Sequence, residues 1–325
     1  MITFNPMNVR IWSMLGSCGA FGQAALELPE INDKVVMLTS DLCVFSGLER
    51  FKAKFPDRLY NVGIAEQNMI GVAAGFAKEG FVPFATTYAT FASMRCADQV
   101  KVNMGYMGTP VKLVGLTAGF AVSALGATHM SLEDMSVMRS IPNVTVLSPA
   151  DCTATVKAVI AAAACPGPVY LRLSGPMPNP IVYKGDCPFE VGRANTLREG
   201  TDLAIIATGS MVHQSLKAAE LLERDGLSAE VVDMHTIQPL DEDAVGRASD
   251  GKKLVVTVEE HSVVGGLGSA VAERMARCLR HPRLLAIGHE GRYPLAGAYA
   301  DLIRQDGLDA EGIRRKIFQS LKEGK

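Results

Sequence analysis

The feature that most constrains this 325-residue chain is the alternation of short runs rich in Val, Ile and Leu with longer segments of helical period. The pattern is plainest after Asp202. LAIIATG (203–209) is a short apolar run, and MVHQSLKAAELLERDG then repeats apolar residues three and four apart until Gly226. AEVVDMH, KLVVTVEE and RLLAIG read as further strands, with DEDAVGRAS and GGLGSAVAERMARCL as helices between them. The first half repeats the scheme. Strands are expected at KVVMLTS, FVPFATTY, VKLVGLT, NVTVLSP and PVYLRLS, and helices at AEQNMIGVAAGFAKEG, FASMRCADQVKVNM, SLEDMSVMRS and ADCTATVKAVIAAAA. Wholly apolar strands are covered on both faces, and strand–helix alternation is how parallel strands are joined. Six of the sixteen prolines fall between Pro166 and Pro188, where neither a helix nor a central strand can run for long. A linker is therefore expected at about 175–190, between domains of residues 1–185 and 190–325. The expected fold class is α/β, as two tandem open, mostly parallel sheets covered by helices on both faces.

Composition removes several function classes. Net charge is −2 and no Lys/Arg run exists, which argues against a protein that tracks nucleic-acid phosphates. The longest small-apolar stretch, Ala158 to Cys165, is far below the roughly 20 residues of a membrane span. MITFNPMNVRIW lacks the basic-then-apolar layout of a signal peptide. Seven cysteines with no CxxC pair argue against zinc ribbons, dithiol redox chemistry and a disulfide framework. A cytoplasmic, reducing location is expected. His213, His235, His281 and His289 show no metal-ligand spacing, and no metal site is expected on this chain.

Open α/β sheets bind ligands at the C-terminal ends of their strands, which says where to look but not for what. The most informative segment is DRLYNVGIAEQNMIGVAAGFAKEGF. In a helix starting near Gly63, Glu66 shares a face with Met69, Ile70 and Ala73. A carboxylate on an apolar stripe needs a donor or a proton, so Glu66 is either a helix cap or a chemical group. Tyr88 and Phe91, three apart in FATTYATFASMRCADQVK, form either ordinary core or one wall of a pocket. Arg95 reaches either an anion or Asp98. Ser131 with Asp134 reads as a capping box rather than as half of a Glu133–Asp134 carboxylate pair. GGLG does not satisfy a dinucleotide fingerprint.

These segments resemble the thiamine-diphosphate enzymes of the transketolase family, and the related deoxyxylulose-phosphate synthases more closely still. The resemblance lies in the aspartate–arginine, the IAEQ helix, the aromatic segment with R-x-x-D-Q, and GATH followed by IPNVTVLSPAD. It covers nearly the whole chain, as a pyrimidine-binding domain and a C-terminal domain. It implies that Glu66 hydrogen-bonds N1′ of the cofactor's aminopyrimidine, promoting loss of the proton from C2 of the thiazolium. It assigns Asp41, Tyr88, Phe91 and Met94 to the cofactor pocket. His129 becomes catalytic and substrate-binding, and Arg95 and Ser46 become substrate contacts. Glu259-Glu260-His261 matches a segment that is structural or lies at subunit contacts.

Departures from the family bear on substrate and on assembly. Leu125 stands where an acidic residue usually binds a sugar hydroxyl, and Thr117 where typical transketolases have histidine. A phosphate-binding arginine is missing near Gly175 unless Arg172 substitutes. No GDG start of a diphosphate- and Mg²⁺-binding domain occurs. The resemblance then implies the C-terminal subunit of a split transketolase, transferring a two-carbon ketol unit between sugar substrates. Thiamine diphosphate would be shared with an N-terminal partner subunit that brings Mg²⁺, and the pyrimidine domains would pair in an α₂β₂ tetramer. Rival readings are a 2-oxoacid dehydrogenase E1 β subunit, a deoxyxylulose-phosphate-synthase-like half enzyme, and a regulatory subunit that keeps the fold.

Overall fold

The computed structural model describes residues 2–323 and contains two mostly parallel sheets. The strands, in chain order, are β1 (Val35–Thr39), β2 (Leu59–Asn61), β3 (Val82–Tyr88), β4 (Lys112–Ala118), β5 (Thr145–Leu147) and β6 (Val169–Ser174). They continue with β7 (Asn195–Arg198), β8 (Leu203–Ala207), β9 (Ala229–Asp233), β10 (Thr236–Gln238), β11 (Leu254–Ser262) and β12 (Arg283–His289). The first sheet has the order β10-β5-β6-β4-β3-β1-β2 and the second β12-β11-β8-β9-β7. All pairings are parallel except β10 with β5 and β7 with β9.

Alternate strand residues face opposite helix layers, as the strand period requires. Val35 and Met37 of β1, with Phe84, Val114 and Leu171, pack against Trp12, Phe21 and Leu28 of helix Pro6–Ile31 and Val156 and Val159 of helix Cys152–Ala164. Val36 and Leu38 face the other way, onto Met69, Ile70 and Ala73 of helix Glu66–Lys78. Each fully buried side chain of this size contributes roughly 1.5–3 kcal/mol, so the two-sided pattern decides the fold rather than any one residue.

Helix Pro6–Ile31 shows only a start signal in the sequence, Asn5 capping the Asn8 amide at 2.9 Å with Pro6 in the first turn, and no apolar stripe after it. Gly16 sits at φ +72° and splits it into two segments, and Gly, Ala and Pro29 interrupt any simple apolar stripe. Strands β2, β7 and β10 are equally faint in the sequence, being three or four residues long.

The FASMRCADQVKVNM segment is not one regular helix. It is wound partly in wider turns, with the Cys96 amide donating to the Phe91 carbonyl and that of Met107 to Val102, five residues back. Strand β10 departs from a strictly tandem layout, because it leaves the second half of the chain to pair with β5 of the first sheet. Between β6 and β7 the described chain is irregular, as the prolines require. No described helix is long and apolar enough to cross a membrane.

The expected Ser131–Asp134 capping box is absent. Asp134 opens helix Asp134–Arg139, and its carboxylate turns inward to accept from Arg172 Nε and the Tyr170 hydroxyl, each at 2.8 Å. Both members of the ion pair are fully buried. In an apolar environment this pairing claims the carboxylate more strongly than a helix end open to water. Arg172 Nη2 also donates to the carbonyl of Glu260 at 2.8 Å, joining β6 of the first sheet to β11 of the second. Asp134→Asn should leave the guanidinium buried without a full countercharge and cost about 3–5 kcal/mol in chemical unfolding. A loss below about 1 kcal/mol would place the pair among dispensable surface-type bridges.

Candidate active site

Four adjacent parallel strands end side by side and deliver the site. β4 ends at Ala118, β3 at Tyr88, β1 at Thr39 and β2 at Asn61, and the segments at or beyond those ends carry the side chains of interest. Asp41 follows β1 at φ +58°, a left-handed conformation held by Asn61. The Asn61 side chain accepts from the Asp41 amide at 3.0 Å and donates to the Asp41 carboxylate at 2.9 Å. It also accepts from the Gly63 amide, which shapes the entry to the next helix.

That helix begins at Glu66 itself rather than near Gly63, so Glu66 is its first residue. The capping geometry considered for it does not form. Its carboxylate is 3% exposed and accepts from Arg95 Nη1 at 2.8 Å. Arg95 thus reaches Glu66 rather than Asp98, and its guanidinium lies over the Phe91 ring at 3.9 Å from the centroid. Burial and the neighbouring Glu66 charge push the adjacent Cys96 thiol up to about 12, so it remains a thiol and donates to the Phe91 carbonyl.

The aromatic wall forms as one unit and includes the imidazole. Tyr88 and Phe91 meet edge to face at 6.0 Å, and the His129 ring meets Phe91 at 5.3 Å and Tyr88 at 5.9 Å. Thr128 Oγ1 lies 3.0 Å from His129 Nδ1. Phe45, to which no sequence motif drew notice, touches Tyr88 at 6.2 Å and is itself exposed. The structure corrects the expectation for its neighbour Ser46. The Ser46 hydroxyl is fully buried, donating to the Leu42 carbonyl and sharing a hydrogen bond with Thr86, so it presents no surface to a substrate. Met94 and Leu125 are exposed beside the site segments, and Thr117 turns its hydroxyl back to the Leu116 carbonyl. Arg172 cannot replace the missing anion-binding arginine, because it is 1% exposed and spent on Asp134.

The donor set suits an aminopyrimidine. One buried carboxylate is paired with a half-exposed guanidinium, which itself lies on a wall of two aromatic rings and an imidazole. Among the described residues no group of three His, Cys, Asp or Glu side chains could hold a metal ion.

Comparison with known proteins gives the family. Residues 16–177 match the transketolase pyrimidine-binding domain and residues 192–313 the transketolase C-terminal domain. The chain belongs to the transketolase family, whose members depend on thiamine diphosphate and transfer ketol units. It is 42% identical to a 6-deoxy-6-sulfo-D-fructose transketolase subunit from a Clostridium species, over 90% of this chain and 91% of that one. It is 36% identical to a subunit of an apulose-4-phosphate transketolase from Phocaeicola vulgatus, over 96% and 99%. A solved split-gene transketolase, described as an inactive β4 tetramer, superposes with a TM-score of 0.85 at 38% identity, over 94% and 98%.

Phe91→Ala should remove the ring that packs against Arg95 and His129. Ring stacking of ~0.5–1.5 kcal/mol corresponds to roughly 2- to 10-fold weaker thiamine diphosphate binding by calorimetry on the assembled enzyme. Unchanged affinity with a lower melting temperature would make Phe91 ordinary core.

Proposed function

We propose that this chain is the C-terminal subunit of a split transketolase, with a pyrimidine-binding domain over residues 1–185 and a C-terminal domain over 190–325. The observation that carries the reading is the buried Glu66 carboxylate, tied through Arg95 to the Phe91 ring that packs with Tyr88 and His129, on segments beyond the ends of adjacent strands. Thiamine diphosphate, when bound, supplies the nucleophilic carbon that accepts and passes on a two-carbon ketol unit. Tyr88, Phe91 and Met94 would hold its pyrimidine, with Asp41 at the pocket's edge.

Glu66 holds or releases a proton at its carboxylate toward a ring nitrogen, and its burial keeps water from competing for that position. Arg95 supplies the positive charge that a buried carboxylate requires, and its exposed side remains open to a substrate anion. His129 brings its imidazole to the same space from the loop after β4 and can hydrogen-bond a substrate oxygen.

The diphosphate and Mg²⁺ are assigned to an N-terminal partner subunit, and self-association through the pyrimidine domains would give an α₂β₂ tetramer. The inactive β4 tetramer formed by the similar split-gene protein supports self-association and the need for a partner subunit. The seven cysteines, all unpaired, support a reducing, cytoplasmic location.

Glu66→Gln keeps shape and one hydrogen bond but cannot manage the proton. Turnover of the reconstituted enzyme should fall by ~10² or more with folding retained. Near wild-type turnover would remove Glu66 from the chemistry.

Leu125 and Thr117 replace polar sugar contacts, and a buried hydroxyl left unpaired costs ~1–3 kcal/mol. The preferred donor is therefore a ketose that is branched, deoxygenated or differently charged at its far end. The name of the Clostridium relative, which specifies a ketose both deoxygenated and sulfonated, supports that direction. A comparison of kcat/KM across donors with the complete complex tests it. Xylulose 5-phosphate emerging as the best donor would overturn it.

A further inference from the structure

The loop that carries His129 is closed at its base and built partly into the second half of the chain. Gly119 and Ser131 exchange backbone hydrogen bonds, with the Gly119 amide donating to the Ser131 carbonyl at 2.8 Å and the Ser131 amide to Gly119 at 3.2 Å. Phe120, Met130 and Leu132, at the two ends of the loop, share a core cluster with Leu203, Ile205 and Val256 of the second sheet. Glu260 of β11 meets this closure. Its Oε1 accepts from the Phe120 amide at 2.6 Å. Its Oε2 accepts from the Tyr299 hydroxyl at 2.8 Å and from the Ser210 hydroxyl. A Cβ on Gly119, which adopts φ +69°, would collide with Oε1, so loop and carboxylate are fitted to contact. Farther along the loop, the Gly297 amide donates to the Ser123 carbonyl at 3.2 Å, two residues before the Tyr299–Gln305 helix.

We infer that Glu260 is a positioning residue, through which the C-terminal domain sets where the His129 loop stands over the site. It touches no reacting atom. It collects donors from three separate segments, at Phe120, Ser210 and Tyr299, onto one buried carboxylate. The inference rests on the proposed function only for the role of His129.

Hydrogen exchange on the full chain reads the loop directly. Glu260→Ala should speed exchange in peptides spanning 119–131 by about tenfold, leave β9 unchanged, and be rescued by Glu260→Gln, whose amide oxygen can still accept from Phe120. Unaltered protection of 119–131 would overturn the inference. Should Glu260→Ala not fold, Tyr299→Phe removes one donor with packing kept, and exchange in the same window should rise several-fold while other segments stay as they were. In the assembled enzyme, Glu260→Ala should lower kcat about tenfold yet add less than about twofold in a His129→Ala background. Additive losses would mean that Glu260 acts independently of the loop. An assembled enzyme without transketolase activity would defeat the proposed function, while the exchange result would still decide the role of Glu260.

Discussion

A guanidinium buried between two sheets organises much of this molecule. Taking a charge such as that of Arg172 out of water costs several kcal/mol unless its donors are matched. Here Asp134 takes Nε, and the Glu260 and Ser131 carbonyls take Nη2. Those partners come from a helix start, from a strand of the second sheet and from the base of the His129 loop. Satisfying one cation therefore brings the 131–134 stretch and β11 into register with β6. Burial also raises the Glu260 carboxyl, opposed by the donors from Ser210 and Phe120 and by the nearby Arg172 charge. Glu259 next to it is pushed up to about 7 by burial, although the amides of Leu267 and Gly268 donate to it.

The same seam explains why the two domains share a core. Ile206, Val232 and Ile237 belong to the cluster that includes Val36 and Met69, and β10 pairs into the first sheet. The active-site side is built differently. It is an edge of loops whose apolar members Val44, Phe45, Ile64, Met94 and Leu125 stand exposed. Exposed apolar side chains on these segments fit the proposed site, whose remaining wall would come from another surface.

Glu66 is proposed from two kinds of observation. The IAEQ motif places a glutamate at that position but says nothing of its partner. The structure supplies Arg95, held over Phe91, as the countercharge that lets a carboxylate remain buried. Conversely, geometry alone would admit any ligand with a weakly basic ring, and the family's dependence on thiamine diphosphate is what makes its aminopyrimidine the proposed occupant.

The local pattern of the chain determined the class of fold, most strands and the segments that bear chemistry. Apolar runs flanked by helical periods are short-range signals, and Tyr88, Phe91 and Arg95 lie close enough in sequence to be read as one unit. Helix Pro6–Ile31 escaped because it is buried largely by small residues rather than by a single stripe, and β10 because a three-residue strand is specified only by its partner. Only the tertiary structure decided that Asp134 serves Arg172 instead of a helix cap, that Ser46 is interior, and that Glu260 reaches Phe120 across 140 residues. Such choices depend on which polar groups are left together when water is excluded, and the chain's order does not encode that locally.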